Sequence, residues 1–548
     1  MTDNDRPEGT GGPGQYPEDL HQQGRFDEYE SGSGRSPVML WGLRAAGLIA
    51  ALIVWLILGG SEGLSPDARN VAAIGTLMAI WWMSEAIPLS ATSLLPIVLI
   101  PMFTERTVSE ATAPYASSIV FLFLGGFLIA IAMEKWHLHR RIALLTLRRV
   151  GVQPKRIILG MMIATGFLSM WVSNTATTLM MLPIGLSVLT LVIERSQHTD
   201  QGAEVGEELA AGGTISEVVD DPNIKAFGIC LVLSIAWAAT IGGLGTLLGS
   251  PPNAIVAGYV SDELGGDIGF LQWMLIGLPL AAVFILIAWV LMTNVLYRFN
   301  LDEVPGGRQM IDEQIASLGP VGQGERMVMI VFASAAFLWV VPGLLTSLTG
   351  SDLGFLGLLD DTAIAIAAGI ALFLLPGRGR TTMVLEWKDA ENGLPWGVLL
   401  LFGGGLSLAG AVAASGLDQW FGQQVQGLGS LTPIMLVAAV VTLILFLTEI
   451  TSNTATAATF IPILGGVAVG IGVDPMALLI PAAFAATCAF MLPVGTPPNA
   501  IVFGTGAVTI GQMARGGFVL NVVGIVLITM FIYLLGGFAL GITFGSGG

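Results

Sequence analysis

From about residue 40 onward the chain alternates long apolar runs with short polar punctuation. A membrane span needs about 20 apolar residues, which predicts a first span from roughly Leu40 to Gly59, with Arg44 near its start. A second runs from about Asn70 into Trp81-Trp82-Met83-Ser84-Glu85-Ala86-Ile87-Pro88, where Glu85 beside two Trp reads as an interfacial turn. A third ends near Phe103, and a fourth covers about Ser117 to Glu134 with Phe123-Leu124-Gly125-Gly126 inside it. Residues 157 to 192 are apolar for roughly 36 positions, too long for one span, and are interrupted halfway at Ser173-Asn174-Thr175. A helical hairpin that enters the bilayer and returns, with the triplet at its tip, fits that pattern, because non-helical backbone at depth is tolerated where it lines a protein cavity. A fifth span is broken at Gly249-Ser250-Pro251-Pro252-Asn253, where tandem prolines are expected to stop the helix. A sixth covers about 270–297, a polar linker reaches Arg326, and spans seven and eight cover about 327–346 and 362–376.

The polar interruptions then recur. Ser173-Asn174-Thr175-Ala176-Thr177 returns as Ser452-Asn453-Thr454-Ala455-Thr456, each followed nine residues after its Asn by a proline, Pro183 and Pro462. Gly249-Ser250-Pro251-Pro252-Asn253-Ala254-Ile255 is answered by Gly495-Thr496-Pro497-Pro498-Asn499-Ala500-Ile501, and Leu124-Gly125-Gly126 by Phe402-Gly403-Gly404. Alone, a Ser-Asn-Thr in a membrane helix reads as a helix–helix hydrogen bond and a Pro-Pro-Asn as a helix end. Recurrence of both, in the same order, is the pattern of a secondary transporter built from repeats, with its site where broken helices meet. The predicted fold is an all-α polytopic membrane protein of inverted repeats, about eleven spans with two re-entrant helical hairpins. The segments are a tail (1–37), scaffold helices (38–116), repeat 1 (117–298), linker and scaffold helices (299–394) and repeat 2 (395–546).

Charge adds orientation. The 135–156 stretch holds Lys135, Arg140, Arg141, Arg148, Arg149, Lys155 and Arg156 and no acid, whereas 418–430 holds no Lys or Arg. By the positive-inside rule the first is a cytoplasmic loop and the second lies outside, so the hairpins enter from opposite sides. The expected topology is multi-pass in the plasma membrane, N-terminus cytoplasmic and C-terminus outside. Residues 1 to about 37 are acidic and Gly/Pro-rich, read as disordered, and lack the apolar core of a signal peptide. An acidic loop spans about 193–223.

Composition removes other classes. The hydrophobic fraction is 54%, the charged fraction 11% against about 25% in soluble domains, and mean hydropathy is +0.78, so most of the chain lies in lipid. A net charge of −17 argues against a nucleic-acid partner. Cys230 and Cys488 sit in apolar segments and suit packing, and all four His lie outside the apolar runs, leaving no intramembrane His for metal or proton work. A membrane-embedded enzyme would need paired acids or a nucleophile at depth; only Glu85 and Glu449 are candidates, unpaired. A channel would not need two opposed hairpins.

The interruptions offer Ser and Thr hydroxyls, Asn carbonyls and freed backbone carbonyls, neutral oxygen donors suited to a hard monovalent cation. Helix halves restarting after each break bring N–H groups and a positive dipole end, which suit a carboxylate. With no Arg or Lys near any interruption, bound cations would supply the positive charge, a direct route to coupling. Ser169 with Ser173, and Thr448 with Ser452, have i, i+4 spacing and are expected on one helix face, aiming two hydroxyls at one ion. Glu449, three residues before Ser452, is read as structural, bonding groups near the tip.

At these motifs the sequence resembles the divalent anion/sodium symporter family, the dicarboxylate, citrate and sulfate transporters, over about residues 40–546. The resemblance implies a homodimer of inverted repeats working as an elevator, a scaffold domain against a moving transport domain, with sodium as coupling ion. It places a first sodium site on Ser169, Ser173, Asn174 and Gly249 and a second on Thr448, Ser452, Asn453 and Gly495. It places the substrate anion on Asn174, Thr175, Ser250, Asn453, Thr454, Thr496 and Pro497. Where family members often have Ala, this chain has Gly495, and a carbonyl ligand survives that change. The implied function is sodium-coupled uptake of C4-dicarboxylates; sodium-independent exchange, or transport of citrate or sulfate, are the alternatives.

Overall fold

The computed structural model describes residues 36–197, 215, 219, 221–301, 307–349, 360–379, 381–424 and 431–544. The predicted disordered tail, most of the acidic 193–223 loop and residues 425–430 lie outside them. The chain opens with α1 (Pro37–Ile57) and α2 (Pro66–Ser84), whose N-termini are capped by the hydroxyls of Ser36 and Ser65. Glu85 ends α2 in the left-handed region (φ 48°), making the expected turn, and Arg44 Nε donates to the Ala86 carbonyl at 2.9 Å across it. The third span is broken, α3 (Leu89–Thr92) and α4 (Leu95–Phe103), followed by α5 (Val108–Thr112).

Seven helices then run in order: α6 (Ser118–Lys135), α7 (Leu138–Val150), α8 (Pro154–Ser169), α9 (Asn174–Gln197), α10 (Pro222–Gly242), α11 (Pro251–Leu264) and α12 (Phe270–Leu291). A bridging section holds α13 (Gly307–Ser317), α14 (Gln323–Thr349), α15 (Asp361–Leu374), a small hairpin β1 (Pro376–Arg378) and β2 (Thr382–Met383), and α16 (Trp387–Gly393). A second seven follow: α17 (Trp396–Ser415), α18 (Leu417–Gln424), α19 (Pro433–Thr448), α20 (Asn453–Ile471), α21 (Met476–Thr487), α22 (Pro497–Gly504) and α23 (Ile510–Leu540). The two sets match in kind and order: long span, short helix, two hairpin arms, two half-helices, closing span.

Nine helices among the described residues are long and apolar enough to cross a membrane, and four shorter apolar helices accompany them. The two sets interlock. Half-helix α11 packs on α20 and α21, α22 packs on α9 and α10, and α12 lies against α23. The second half-helix of each pair, α11 and α22, is therefore seated in the other repeat, the reciprocal arrangement of a two-fold pair. The Gly-Gly motifs permit close approach: a methyl on Gly125 would lie 2.5 Å from the Ala365 backbone, and one on Gly404 2.5 Å from the Ser93 carbonyl.

Four expectations need correction. The basic stretch is helix α7 rather than a loop. Leu138, Ala143, Leu144 and Leu147 are buried on one face while Arg141 pairs with Glu325 and Arg148 Nε meets Asp312 at 3.1 Å. The acid-containing 418–430 stretch likewise begins as helix α18. The polar linker contains helix α13; the all-helical fold stands, with the two-stranded hairpin of β1 and β2 as a minor addition to it. The tandem prolines do not end helices; they open α11 and α22, because at the first turn the missing N–H has no helical partner to lose.

Candidate functional site

The two hairpins turn at equivalent points. Helix α8 ends at Ser169 and α9 starts at Asn174; α19 ends at Thr448 and α20 starts at Asn453. Ser173 and Ser452 thus lie beyond the break, and the expected i, i+4 helix-face pairing does not form. Instead Ser173 Oγ accepts from Ala176 N at 3.2 Å, and Ser452 is the N-cap residue of α20 without a side-chain capping bond.

What forms is a contact five residues apart. In repeat 1 one atom of the Asn174 amide lies 2.5 Å from Ser169 Oγ and 3.1 Å from each of the Ala239 and Gly249 carbonyls. As nitrogen, that atom has two N–H bonds to share among these three acceptors. As oxygen, it accepts from the Ser169 hydroxyl and joins the Ala239 and Gly249 carbonyls in a group of four oxygens that a cation would bridge. Ser169 Oγ also donates to Ala239 O at 2.7 Å. In repeat 2, Thr448 Oγ1 donates to Asn453 Oδ1 (2.8 Å) and Ala486 O (3.0 Å), and Asn453 Nδ2 donates to Thr487 O at 3.1 Å. Ser169 and Thr448 are fully buried, whereas Asn174, Thr175, Asn453 and Thr454 are half-buried, so each tip is closed on the side of its hydroxyl and accessible on the side of its Asn-Thr pair.

The breaks are held by residues to which the sequence alone assigned no role. Asn253 Nδ2 bridges the Gly243 and Thr246 carbonyls at 2.9 Å each; Asn499 Nδ2 bridges those of Ala489 and Leu492 at 3.2 and 3.1 Å. The offsets, ten and seven residues, are the same in both repeats. The Oδ1 of each Asn is buried without a partner, an acceptor that a cation or a donor would satisfy. The Pro-Pro-Asn motif was the available signal. Gly243 carried none: a methyl there would sit 2.9 Å from both Asn174 amide atoms and 3.0 Å from Gly249 O.

Glu449 is buried and bonds the second break directly. Its carboxylate accepts from the N–H groups of Phe490 (2.7 Å), Met491 (3.0 Å) and Leu492 (3.1 Å) and from Asn521 Nδ2 (2.7 Å). Repeat 1 has Met170 at the matching position, and there the turn closes on its own carbonyls, with Leu244 N donating to Ile241 O and Gly245 N to Gly242 O. The two breaks touch through Thr487 Oγ1, which donates to Ser250 Oγ at 3.1 Å. Ser250 and Thr496 are buried and Pro497 is exposed. Among the described residues no three His, Cys, Asp or Glu side chains come together as a metal site.

Sequence and structure comparisons agree with this architecture. The family model for the sodium:sulfate symporter transmembrane region matches residues 39–540. The sodium-dependent dicarboxylate transporter SdcS of Staphylococcus saprophyticus is 42% identical over 485 residues, 88% of this chain and 89% of that protein. SdcS of Staphylococcus aureus is 42% identical over 477 residues, 86% of each chain. Among solved structures, the YdaH transporter of Alcanivorax borkumensis superposes with TM-score 0.55 at 13% identity, covering 87% of this chain and 99% of that one. MtrF of Neisseria gonorrhoeae does so at 0.50 and 15%, covering 94% and 98%; at such identities these two likenesses speak for the fold alone. With the family model spanning nearly every described helix and the duplicated hairpin-and-break site in place, the chain belongs to the sodium:sulfate symporter family of multi-pass membrane transporters.

Proposed function

We propose that this protein is a secondary active transporter that carries C4-dicarboxylates such as succinate, malate and fumarate into the cell together with sodium. The observation that carries the reading is the duplicated cluster of neutral oxygens, Ser169–Asn174–Gly249 and Thr448–Asn453 beside Gly495, to which no Lys, Arg or His contributes. The similarity to two dicarboxylate transporters named as sodium-dependent supports the choice of ion and substrate.

In this mechanism sodium is a co-substrate. One ion turns the Asn174 carbonyl toward Ser169 Oγ and the Gly249 carbonyl, with Ser173 closing the set from the tip; the second is held by Thr448, Ser452, Asn453 and Gly495. Each Asn then has an amide N–H to offer a substrate carboxylate, for Asn453 the one not given to Thr487 O, shared with Thr175 and Ser250 on one side and Thr454, Thr496 and Pro497 on the other. The helix starts at α9, α11, α20 and α22 add their positive dipole ends. A dianion beside two cations escapes most of the cost of burying its charge. Because both ions shape the residues that hold the anion, substrate binds after sodium.

A proton-driven alternative would need an acid free to titrate in the cavity. Glu449 is the acid nearest the tips in sequence, and both its oxygens are engaged by donors. The further reading is a homodimer whose repeats 1 and 2 carry the moving domain, with 38–116, 299–394, α6 and α17 as scaffold. The α7 side faces the cytoplasm and the α18 side the exterior, so the first hairpin enters from inside and the second from outside. Labelled succinate uptake into proteoliposomes tests the whole. It is expected to concentrate substrate only on an inward sodium gradient, with malate and fumarate competing; robust uptake in strictly sodium-free buffer overturns it.

A further inference from the structure

Well away from the tips, a cleft of about 550 Å³ opens where the start of α10, the end of α12 and the start of α23 meet. Three cations from three separate elements line it: Lys225 on α10, Arg298 after α12, and Arg515 on α23. No carboxylate is among its described lining side chains. Asp221, the acid beside the lining Pro222, is occupied in capping α10, accepting from Asn223 N at 2.7 Å and Ile224 N at 3.3 Å. In a chain of net charge −17 with 22 Lys and Arg in all, three cations around one cleft are not explained by average composition.

The backbone is shaped to place them. Beyond α12 the helix widens into a π-helical turn over Met292–Leu296, a rare feature that often marks functional sites. Tyr297 follows directly and its hydroxyl donates to the Gln512 carbonyl at 2.8 Å, fastening this end of α12 to α23 and setting Arg298 at the cleft. The N-termini of α10 and α23, of 21 and 31 residues, both open onto it, adding positive dipole ends to the three side chains. Part of the remaining lining is different in kind: Ala226, Ile229 and Leu296 give an apolar wall, beside the polar Thr509 and Gln512 at the start of α23. A cationic mouth above an apolar wall, at the end of membrane helices, matches a ligand that is anionic at one end and aliphatic at the other. Basic pockets between helices at the cytoplasmic surface are suited to such headgroups.

We infer that this cleft is a binding site for the phosphate headgroup of an anionic membrane phospholipid, held by Arg298, Arg515 and Lys225 with its chain along Ile229 and Leu296. Assigning the lipid to the inner leaflet rests on the orientation proposed above. Binding itself does not depend on that orientation, nor on the identity of the transported anion.

The test uses delipidated full-length protein in neutral detergent, with bound lipid counted by native mass spectrometry. Phosphatidylglycerol, phosphatidylcholine and soluble glycerol phosphate are titrated in parallel. Phosphatidylglycerol is expected to bind at least tenfold tighter than phosphatidylcholine. Arg298→Gln with Arg515→Gln is expected to weaken phosphatidylglycerol about thirtyfold, the loss for two cations near an anionic surface, and the Arg298→Lys/Arg515→Lys pair to restore most of it. If the double Gln variant does not reach the membrane, each single Gln variant is expected to lose about fivefold. Unchanged phosphatidylglycerol affinity in the Gln variants overturns the site. Equal affinity for glycerol phosphate overturns the lipid as its occupant and makes it a site for a soluble anion.

Discussion

Adding one methyl group to Gly249, and to its counterpart Gly495, should have unequal consequences. At Gly249 the new carbon would fall 2.6 Å from the Gly243 carbonyl oxygen, 2.9 Å from its Cα and 3.0 Å from its carbonyl carbon. All three are backbone atoms, inside a turn tied down by Asn253, so the chain itself must move by roughly half an ångström or more. Overpacking of this kind costs about 1–3 kcal/mol, and here the displaced group is the carbonyl proposed to face the ion. At Gly495 the nearest atoms are Ala489 Cβ at 3.1 Å, Glu449 O at 3.1 Å and Thr448 O at 3.2 Å, which a shift of a few tenths of an ångström relieves. The assay is succinate uptake as a function of sodium concentration, with surface expression measured for each variant. Gly249→Ala is expected to raise the half-saturating sodium concentration, or cut uptake, by roughly 5- to 150-fold, the equivalent of that cost. Gly495→Ala is expected to stay within about threefold, on the order of 0.6 kcal/mol. Equal effects of the two, in either direction, would refute the reasoning.

Asn174→Ala and Asn453→Ala are each expected to abolish uptake at normal expression; full activity of either would end the shared ion-and-substrate role. Glu449→Ala leaves three backbone N–H groups and Asn521 without their acceptor, each a loss of about 1–3 kcal/mol, and should appear as a marked fall in detergent thermal stability; an unchanged melting temperature counts against the anchor. Burial of His139 on α7, with Arg140 and His137 nearby, lowers its pKa to about 4. It therefore folds neutral, and stability present above its ordinary pKa near 6.5 is lost as pH falls toward 4, by on the order of 3 kcal/mol; His139→Gln should flatten that acid limb in a pH series of melting curves. For topology, cysteines at the exposed Gln153 and Gln423 should differ toward an impermeant external thiol reagent, Gln423→Cys reacting and Gln153→Cys protected; the reverse would invert the orientation.

Much of this was readable from the letters because the repeats mark their own functional points. The duplicated Ser-Asn-Thr and Pro-Pro-Asn motifs located both hairpin turns and both breaks to within a few residues. Helical periodicity failed at those places. Extending α8 through Ser173 put two hydroxyls on one face, but a helix that stops at Ser169 reverses the argument. Reading Pro251 as a stop overlooked that proline is equally a good first residue. The basic stretch hid a helix because its seven cations outweighed the four buried apolar positions of α7. Gly243 and the Thr487–Ser250 contact could not be read at all, since both depend on which residues from distant segments meet.

The interlocking of the half-helices carries a consequence for how the protein is made. Trp237 Nε1 donates to the Phe490 carbonyl 253 residues further on, and α11 has its seat on α20 and α21. When the ribosome has finished the first repeat, α10 can already pack on α8 and α9, but the surfaces that will bury α11 do not yet exist. The first hairpin and its broken partner must wait in the bilayer with polar backbone uncovered until the second half is inserted. A nonsense mutation anywhere before α22 should leave a product with no native resting state, a substrate for membrane proteases. Two separately expressed halves, by contrast, should find each other and assemble, because each holds the other's missing pieces.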